Sequence, residues 1–337
     1  MKEVFNDKAE VVSVVMPVYN AEKFVEKAIK SIVRQTYTSW ELVIVENGST
    51  DNTWNICSKF LNDSRVCLIH SDKGVSVARN KGIDYAHGKW IVFLDADDFL
   101  TEEALQKFIE CVDGKTDLVV GDYDYNSKKN GYFDIKDNEK FLSECLANPT
   151  QYCNVTANMF SSRFLRKHGI RFNTNLHHAE DSEFFIKCLI AEPTIIKLNN
   201  PVYHVFYNPL STVRKHQKDY VASYVEAILA IKKIMPVSGE KNRNAFYLFT
   251  LNQLFIILVH DVFSEISDFK SYKTACKKLN EVLTIPIFRE SLDEAHILEL
   301  PKTKVFVVLA LRAKMHLIVL LAVKIRRKQN ELQGKHD

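Results

Sequence analysis

Three carboxylates fall within four residues at Asp95-Ala96-Asp97-Asp98, directly after the apolar run Ile91-Val92-Phe93-Leu94. Carboxylates this close repel one another unless a positive charge sits between them. A hard divalent cation meets that need, taking one or two carboxylates and completing its shell from a substrate's phosphates. There it would neutralise a departing diphosphate as a Lewis acid. The rival reading is an acidic loop at a helix start, with Asp98 or Thr101 as the cap. Placement at a strand tip favours the metal.

A second polar stretch, Glu46-Asn47-Gly48-Ser49-Thr50-Asp51, has the composition to hold a nucleobase and ribose. Gly48 permits close backbone approach, and Glu46 and Asn47 offer hydrogen bonds to a base edge. The same residues also suit an ordinary turn in which Asp51 caps the following helix. Neither G-x-G-x-x-G nor G-x-x-x-x-G-K-[ST] occurs, so a dinucleotide fingerprint and a P-loop are excluded. H-E-x-x-H and G-x-S-x-G are missing as well.

These groups need a scaffold that brings them together. Strands are expected at Val11 to Met16, Glu41 to Val45, Val66 to Ile69, Trp90 to Leu94 and Leu118 to Gly121. Helices are expected at Ala21 to Gln35 with Asn20 as cap, from Asp51 through Leu61, at Val75 to Ala86 and at Thr101 to Val112. This βα alternation implies an α/β fold, a mostly parallel sheet flanked by helices. Ligands bind such sheets beyond the carboxyl ends of the strands. The segments after the first, second and fourth strands are Pro17-Val18-Tyr19-Asn20, Glu46 to Asp51 and Asp95 to Asp98, so one edge collects them. Beyond residue 121 the spacing gives helices at Ser161 to His168 and Glu180 to Ala191, and strands at Thr194 to Leu198 and Val202 to Phe206. Helical patterns follow over 218–235, 242–262, 271–283 and 302–328.

The 337 residues are 46% hydrophobic and 26% charged, a globular composition able to bury a sizeable core. Net charge is +3, and no nucleic-acid partner is expected. Seven scattered cysteines include no C-x-x-C pair, which argues against zinc or a disulfide framework and fits a reducing cytoplasm. No signal peptide is expected, because Glu3, Asp7 and Glu10 precede a short apolar run.

Taken in order, "VSVVMPVYNAEKFVEKAIKSIVRQTY", "ELVIVENGSTDNT", "GVSVARNKGIDYAHGKWIVFLDADD" and "AEDSEFF" resemble family 2 of the glycosyltransferases, from about Val11 to Arg214. The resemblance implies the GT-A fold and inverting transfer of a sugar from a nucleotide-sugar donor, UDP-linked, to a glycan or lipid-linked glycan acceptor in bacterial surface-polysaccharide assembly. It implies a nucleotide pocket from Pro17, Tyr19, Glu46, Asn47, Arg79 and Asn80. The family's D-x-D motif maps onto Asp95 and Asp97, with Asp98 as an extra carboxylate, and Mn2+ or Mg2+ as the metal. The catalytic base maps onto Asp181, with Glu180 orienting acceptor or base. A positioned carboxylate is what a weakly nucleophilic hydroxyl requires; from spacing alone Asp181 also suits a helix cap before Phe184. Many relatives carry two acids where this chain has Glu46-Asn47. The stretch Tyr207 to His216 is expected to fold over the donor, with Arg214 clamping a phosphate; a solvated basic linker is the other reading. His177 and His178 are expected in an exposed loop.

The expected organisation is a catalytic domain over 1–215, with a nucleotide half at about 11–121 and an acceptor half at about 122–215, then a helical region over 216–337. Val305 to Ile325 is apolar but interrupted by Arg312, Lys314, His316 and Lys324. Each mid-span charge costs about 2.5–3.5 kcal/mol in a bilayer, so a spanning helix is disfavoured. A basic apolar helix lying in a membrane interface is one alternative, although its charges do not gather on one helical face. A buried helix packed on Phe246 to Phe263 is expected ahead of it, with the basic C-terminus, Lys324 to Lys328, touching a membrane surface from the cytoplasmic side. Two rivals fit the sequence less well. A sugar-1-phosphate nucleotidyltransferase needs a Gly-rich basic loop where Pro17-Val18-Tyr19-Asn20 stands. A non-catalytic sugar-nucleotide-binding module needs neither the D-x-D nor the base, and both are intact.

Overall fold

The computed structural model describes residues 10–125, 128–129, 137–206, 219–235 and 240–333. The chain divides into two compact units, one from 1–138, 154–175 and 180–206, the other from 139–153, 176–179 and 207–337. Residues 139–153 thus belong with the C-terminal helices, although they precede the expected boundary.

The first unit is built on one sheet. Its strands are β1 (Val12–Val18), β2 (Trp40–Glu46), β3 (Val66–His70), β4 (Trp90–Phe93), β5 (Phe99–Leu100), β6 (Leu118–Tyr125), β7 (Lys128–Lys129), β8 (Asn158–Ser161) and β9 (Ile195–Val205). Their order is β3-β2-β1-β4-β8-β6-β9-β5, with β7 paired to β6. The β3-β2-β1-β4 half is parallel, as the alternation with helices requires. β8 runs antiparallel to both β4 and β6, and β5 antiparallel to β9. The two strands expected between 194 and 206 are one continuous β9. Its register against β6 shifts between Val120 and Asp122, so a bulge takes the place of the expected break.

The flanking helices are α1 (Val25–Val33), α2 (Thr53–Ser58), α3 (Val75–Tyr85), α4 (Ala104–Cys111), α7 (Ser162–Lys167) and α8 (Glu180–Ile190); α5 (Asn138–Ala147) and α6 (Pro149–Tyr152) come between α4 and α7 in chain order. Every residue of β1 is buried, the signature of a central strand covered on both faces. α3 approaches β1 so closely that a Cβ at Gly82 would lie 2.2 Å from Val15 Cγ1. Asn20 does not cap α1. It adopts φ 47°, and its side chain accepts from Thr50 N at 2.8 Å, tying the β1 loop to the β2 loop. Asp51 accepts from Thr53 N at 3.0 Å at the head of α2 and from Glu22 N at 3.1 Å.

The second unit holds α5, α6, α9 (Tyr220–Ile234), α10 (Glu240–Ile257, continued by a π-turn at Leu258–Val262), α11 (Phe269–Thr284), α12 (Pro286–Glu294), α13 (Lys302–Arg312) and α14 (His316–Gln333). The helix expected over 302–328 is two. Lys314 N donates to Leu311 O and Met315 N to Ala310 O, at 3.0 and 2.8 Å, and Lys314 takes φ 56°, so a Schellman-type stop breaks the chain there without a glycine. Asn242–Val262 is long and apolar enough to cross a membrane, but 78% of that window is buried in protein. His178 is not exposed. It stacks on Tyr224 with centroids 4.5 Å apart, and burial pushes its imidazole down to about 4.

Candidate active site

The register Val18↔Glu46 and Val15↔Phe93 puts the loops after β1, β2 and β4 on one edge. At that edge Arg79 of α3 is the hub. Its guanidinium is 3% exposed; Nη2 donates to Asp95 Oδ1 at 2.9 Å and Nη1 to Asp181 Oδ1 at 2.5 Å, with Glu180 Oε1 3.9 Å from Nη1. The planar fork of arginine suits such a double contact. One side chain therefore joins the acidic loop after β4 to the head of α8, 102 residues apart from Arg79 to Asp181.

Asp181 sits inside the first turn of α8 rather than at its cap, where the helix dipole favours acids. Phe184, one turn on, stacks on Phe172 at 4.1 Å, and Arg79 lies over the Phe172 ring at 5.2 Å. Burial pushes the Asp181 carboxyl well above the ordinary carboxylate range; Arg79 pulls it back, and Glu180 and Asp95 push it further up. Its side chain keeps 29% of its surface accessible, so the group is partly desolvated and reachable. Such a carboxylate is more basic than an exposed one.

In the acidic loop the three aspartates differ. Asp98 is 8% exposed; Tyr203 Oη donates to its Oδ2 at 2.7 Å and Phe206 N to its Oδ1 at 2.8 Å. Burial, with Asp95 and Asp97 beside it, pushes Asp98 up to about 8. Tyr203 also accepts from Asp95 N at 3.2 Å, so one buried hydroxyl sets the loop's shape. Asp95 is 35% exposed at its side chain, and Asp97 is half-buried. Tyr203 has no distinguishing sequence signal; only the β alternation around Val202 marks that strand.

Glu46 organises its turn. Its Oε1 accepts from Gly48 N at 2.9 Å and from Ser49 N, and its Oε2 meets His70 Nδ1 at 2.8 Å. Burial raises its carboxyl, but the contacts from Ser49, His70 and Gly48 prevail and hold it below the usual value. Gly48 takes φ 95°, which only glycine adopts without strain. Asn47 is 4% exposed, and its N–H donates to Val18 O at 3.1 Å. Tyr19 is half-exposed under Lys73, whose Nζ is 5.0 Å from the ring. Pro17 lies within β1 opposite Val45. Asn80 clamps a backbone: its amide donates to Phe172 O and accepts from Phe172 N, both at 2.9 Å. Arg214 and the rest of the 207–218 stretch lie outside the described residues.

Among the described residues no group of three or more His, Cys, Asp or Glu side chains is arranged to hold a metal ion. The donor set does fit a hard cation that uses one or two protein carboxylates and takes its remaining ligands from a diphosphate and water. Asp95 and Asp97 are the more accessible carboxylates of the loop, and their charges add to burial in raising Asp98.

The family model of Glycosyl transferase family 2 matches residues 13–172. An uncharacterized glycosyltransferase of Haemophilus influenzae is 30% identical over 185 residues, 53% of this chain and 71% of that protein. GlyG, a glycosyltransferase of Streptococcus pneumoniae, is 34% identical over 144 residues, 41% of this chain and 48% of GlyG, so the chain spans about half of that relative's length. Staphylococcus aureus TarS 1–349, solved with UDP-GlcNAc, superposes with a TM-score of 0.66 at 18% identity, covering 95% of this chain and 92% of TarS 1–349. The mannosyltransferase PcManGT of Pyrobaculum calidifontis, solved with GDP-Man and Mn2+, gives 0.53 at 17% identity, covering 95% and 89%. Both likenesses show the GT-A-type fold, one sheet flanked by helices with a helical C-terminal region. By the family match and the relative shared over most of its length, the chain belongs to glycosyltransferase family 2.

Proposed function

We propose that this chain transfers a sugar from a nucleoside-diphosphate sugar to an acceptor hydroxyl, with inversion, in the assembly of a bacterial surface polysaccharide. The observation that carries the reading is the Arg79 fork, which holds the donor-side Asp95 and the basic Asp181 on one guanidinium. Asp181 accepts the acceptor's proton as its oxygen attacks the anomeric carbon. The bond from that carbon to the diphosphate breaks, and the nucleoside diphosphate leaves from the opposite side. Burial makes Asp181 basic, while Arg79 favours its ionised form. Glu180 orients the acceptor or the base beside it. Asp95 and Asp97 face the donor; Asp98, with both oxygens engaged by Tyr203 and Phe206, shapes the loop. Asp97, with or without Asp95, would hold Mn2+ or Mg2+, which would supply charge neutralisation to the departing diphosphate.

The turn after β2 forms the base pocket: Glu46 fixes its backbone, leaving Asn47, Tyr19 and Pro17 as its walls. That TarS was solved with UDP-GlcNAc supports a uridine donor. Arg214 is proposed as a phosphate clamp and Asn80 as a wall of the same pocket, acting through Phe172. The enzyme works in the cytoplasm, which the seven free cysteines suit, with its basic C-terminal helices against the inner membrane face and a glycan or lipid-linked glycan as acceptor.

A panel of nucleotide sugars, each with and without Mn2+ or Mg2+, tests the reading by thermal shift and by slow donor hydrolysis. At least one donor should stabilise the protein and be hydrolysed only with metal. No shift and no hydrolysis across UDP-, GDP-, dTDP- and CMP-sugars would overturn it.

A further inference from the structure

The C-terminal hairpin is two-faced. α13 buries Val308, Ala310 and Leu311, and α14 buries Val319, Leu320 and Val323. On their other sides Phe306 and Leu309 of α13, Met315 of the turn, and Leu317, Leu321 and Ile325 of α14 keep between 49% and 61% of their surface exposed. Spacings of three and four residues put each helix's set on a single row. Each helix of the hairpin thus carries an exposed apolar row, and exposed apolar patches mark interaction surfaces.

The charges around this patch name its partner. Every charged residue from Lys302 to Asn330 is Lys or Arg. Three of them are used inside the fold. Lys304 donates to Asn252, Arg312 donates to the carbonyls of Leu292 and Ala295 at 2.6 and 3.0 Å, and Arg327 donates to the carbonyls of Phe263 and Ser264 at 3.3 and 2.5 Å. Arg312, the mid-span charge that counts against a bilayer helix, thus directs donors onto carbonyls at the end of α12 while remaining a cation. Lys302, Lys314, Lys324, Arg326 and Lys328 are exposed beside the apolar rows.

We infer that the hairpin lies in the interface of an anionic bilayer, its apolar rows at the acyl boundary and its exposed cations at the lipid phosphates. This rests on the membrane contact proposed above and gives it a surface: an apolar face on both helices, beyond the basic cluster at Lys324 to Lys328. The hairpin does not span. α13, at 11 residues, is about 16 Å long against a hydrocarbon core of about 30 Å, and α14 has its other face in protein. A second copy is the poorer occupant, since a two-fold contact through this face would set exposed cations against one another.

The test is co-sedimentation of the full chain with vesicles of phosphatidylglycerol and phosphatidylcholine, or of phosphatidylcholine alone, at low and high salt. The wild type should prefer the anionic vesicles and lose affinity in high salt. Leu317→Asp with Leu321→Asp, and separately Lys324→Glu with Lys328→Glu, should each weaken binding by about tenfold or more. Both pairs are exposed, so melting temperature and nucleotide-sugar-induced thermal shift should stay as in the wild type. Wild-type protein that ignores anionic vesicles overturns the membrane contact itself. Wild type that binds while both double variants bind equally overturns the hairpin assignment alone. A dimer broken by the Asp variants, with no vesicle binding, identifies the face as a contact between copies and overturns the inference. A loss of the donor-induced shift in wild type bears on the glycosyltransferase reading and leaves the vesicle result standing.

Discussion

Arg79→Met removes the positive centre on which Asp95 and Asp181 converge. Taking one partner from a buried ion pair costs about 3–5 kcal/mol, because the other charge is stranded. Here two carboxylates are stranded, but their side chains keep 35% and 29% accessibility and can recruit water or a proton. That places the expected loss lower, at about 2–3 kcal/mol. For a unit of this size the melting temperature should drop by roughly 4–12 °C. The pH dependence identifies the cause. Without Arg79 the Asp181 carboxyl moves further above its unfolded value. A group so raised contributes stability that is full below the unfolded value and is lost as pH rises through the folded one. The variant should therefore be closest to wild type in acid and fall behind as pH climbs past neutrality. Thermal unfolding at pH 5 and pH 8, followed by circular dichroism, reads this directly. Transfer near neutral pH should fall by about 10²-fold or more, since the protonated base cannot accept a proton. Activity should recover in part at higher pH, and Arg79→Lys should restore some stability but little of the rate. Equal melting temperatures at both pH values, or a loss that does not change with pH, would refute the hub.

Asp181→Asn should bind donor with wild-type affinity by calorimetry yet lose about 10²–10⁴-fold in transfer, and normal turnover would remove the base assignment. In the wild type, transfer should decline on acidification at a pH above the ordinary carboxylate range, as the raised Asp181 takes up a proton; a rate–pH profile checks this. Glu46→Gln keeps the shape but puts an amide NH2 against donors, so it should cost about 1–3 kcal/mol by chemical denaturation and weaken nucleotide binding through the loosened turn. Gly82→Ala drives a methyl into Val15 and should destabilise the protein by about 1–3 kcal/mol.

The parallel half of the sheet is legible because its signal is local. Short Val- and Ile-rich runs alternate with helical spacing, and every strand from β1 to β4 lies where that pattern puts it, within two residues at each end. The carboxyl-end rule then places Tyr19, Glu46 and Asp95 at one edge before any coordinate is known. β8 is not legible, because its four residues are held by pairing with β4 and β6, which are distant in sequence. The Arg79 fork is equally hidden: an arginine inside a helix pattern gives no sign that its partners lie 16 and 102 residues away. Tyr203 reads as an ordinary strand aromatic, and only the fold brings its hydroxyl to Asp98. The break at Lys314 escapes the sequence for another reason, since helix stops of this kind are marked by glycine and this one has none.

The most direct test is anomalous diffraction from a crystal grown with UDP and Mn2+. The expected map shows the cation bound by Asp97, with or without Asp95, and by the diphosphate, while Asp98 stays on Tyr203 and Arg79 still reaches Asp181. A cation remote from the 95–98 loop, or a nucleotide bound away from Tyr19 and Asn47, would contradict the proposed donor site.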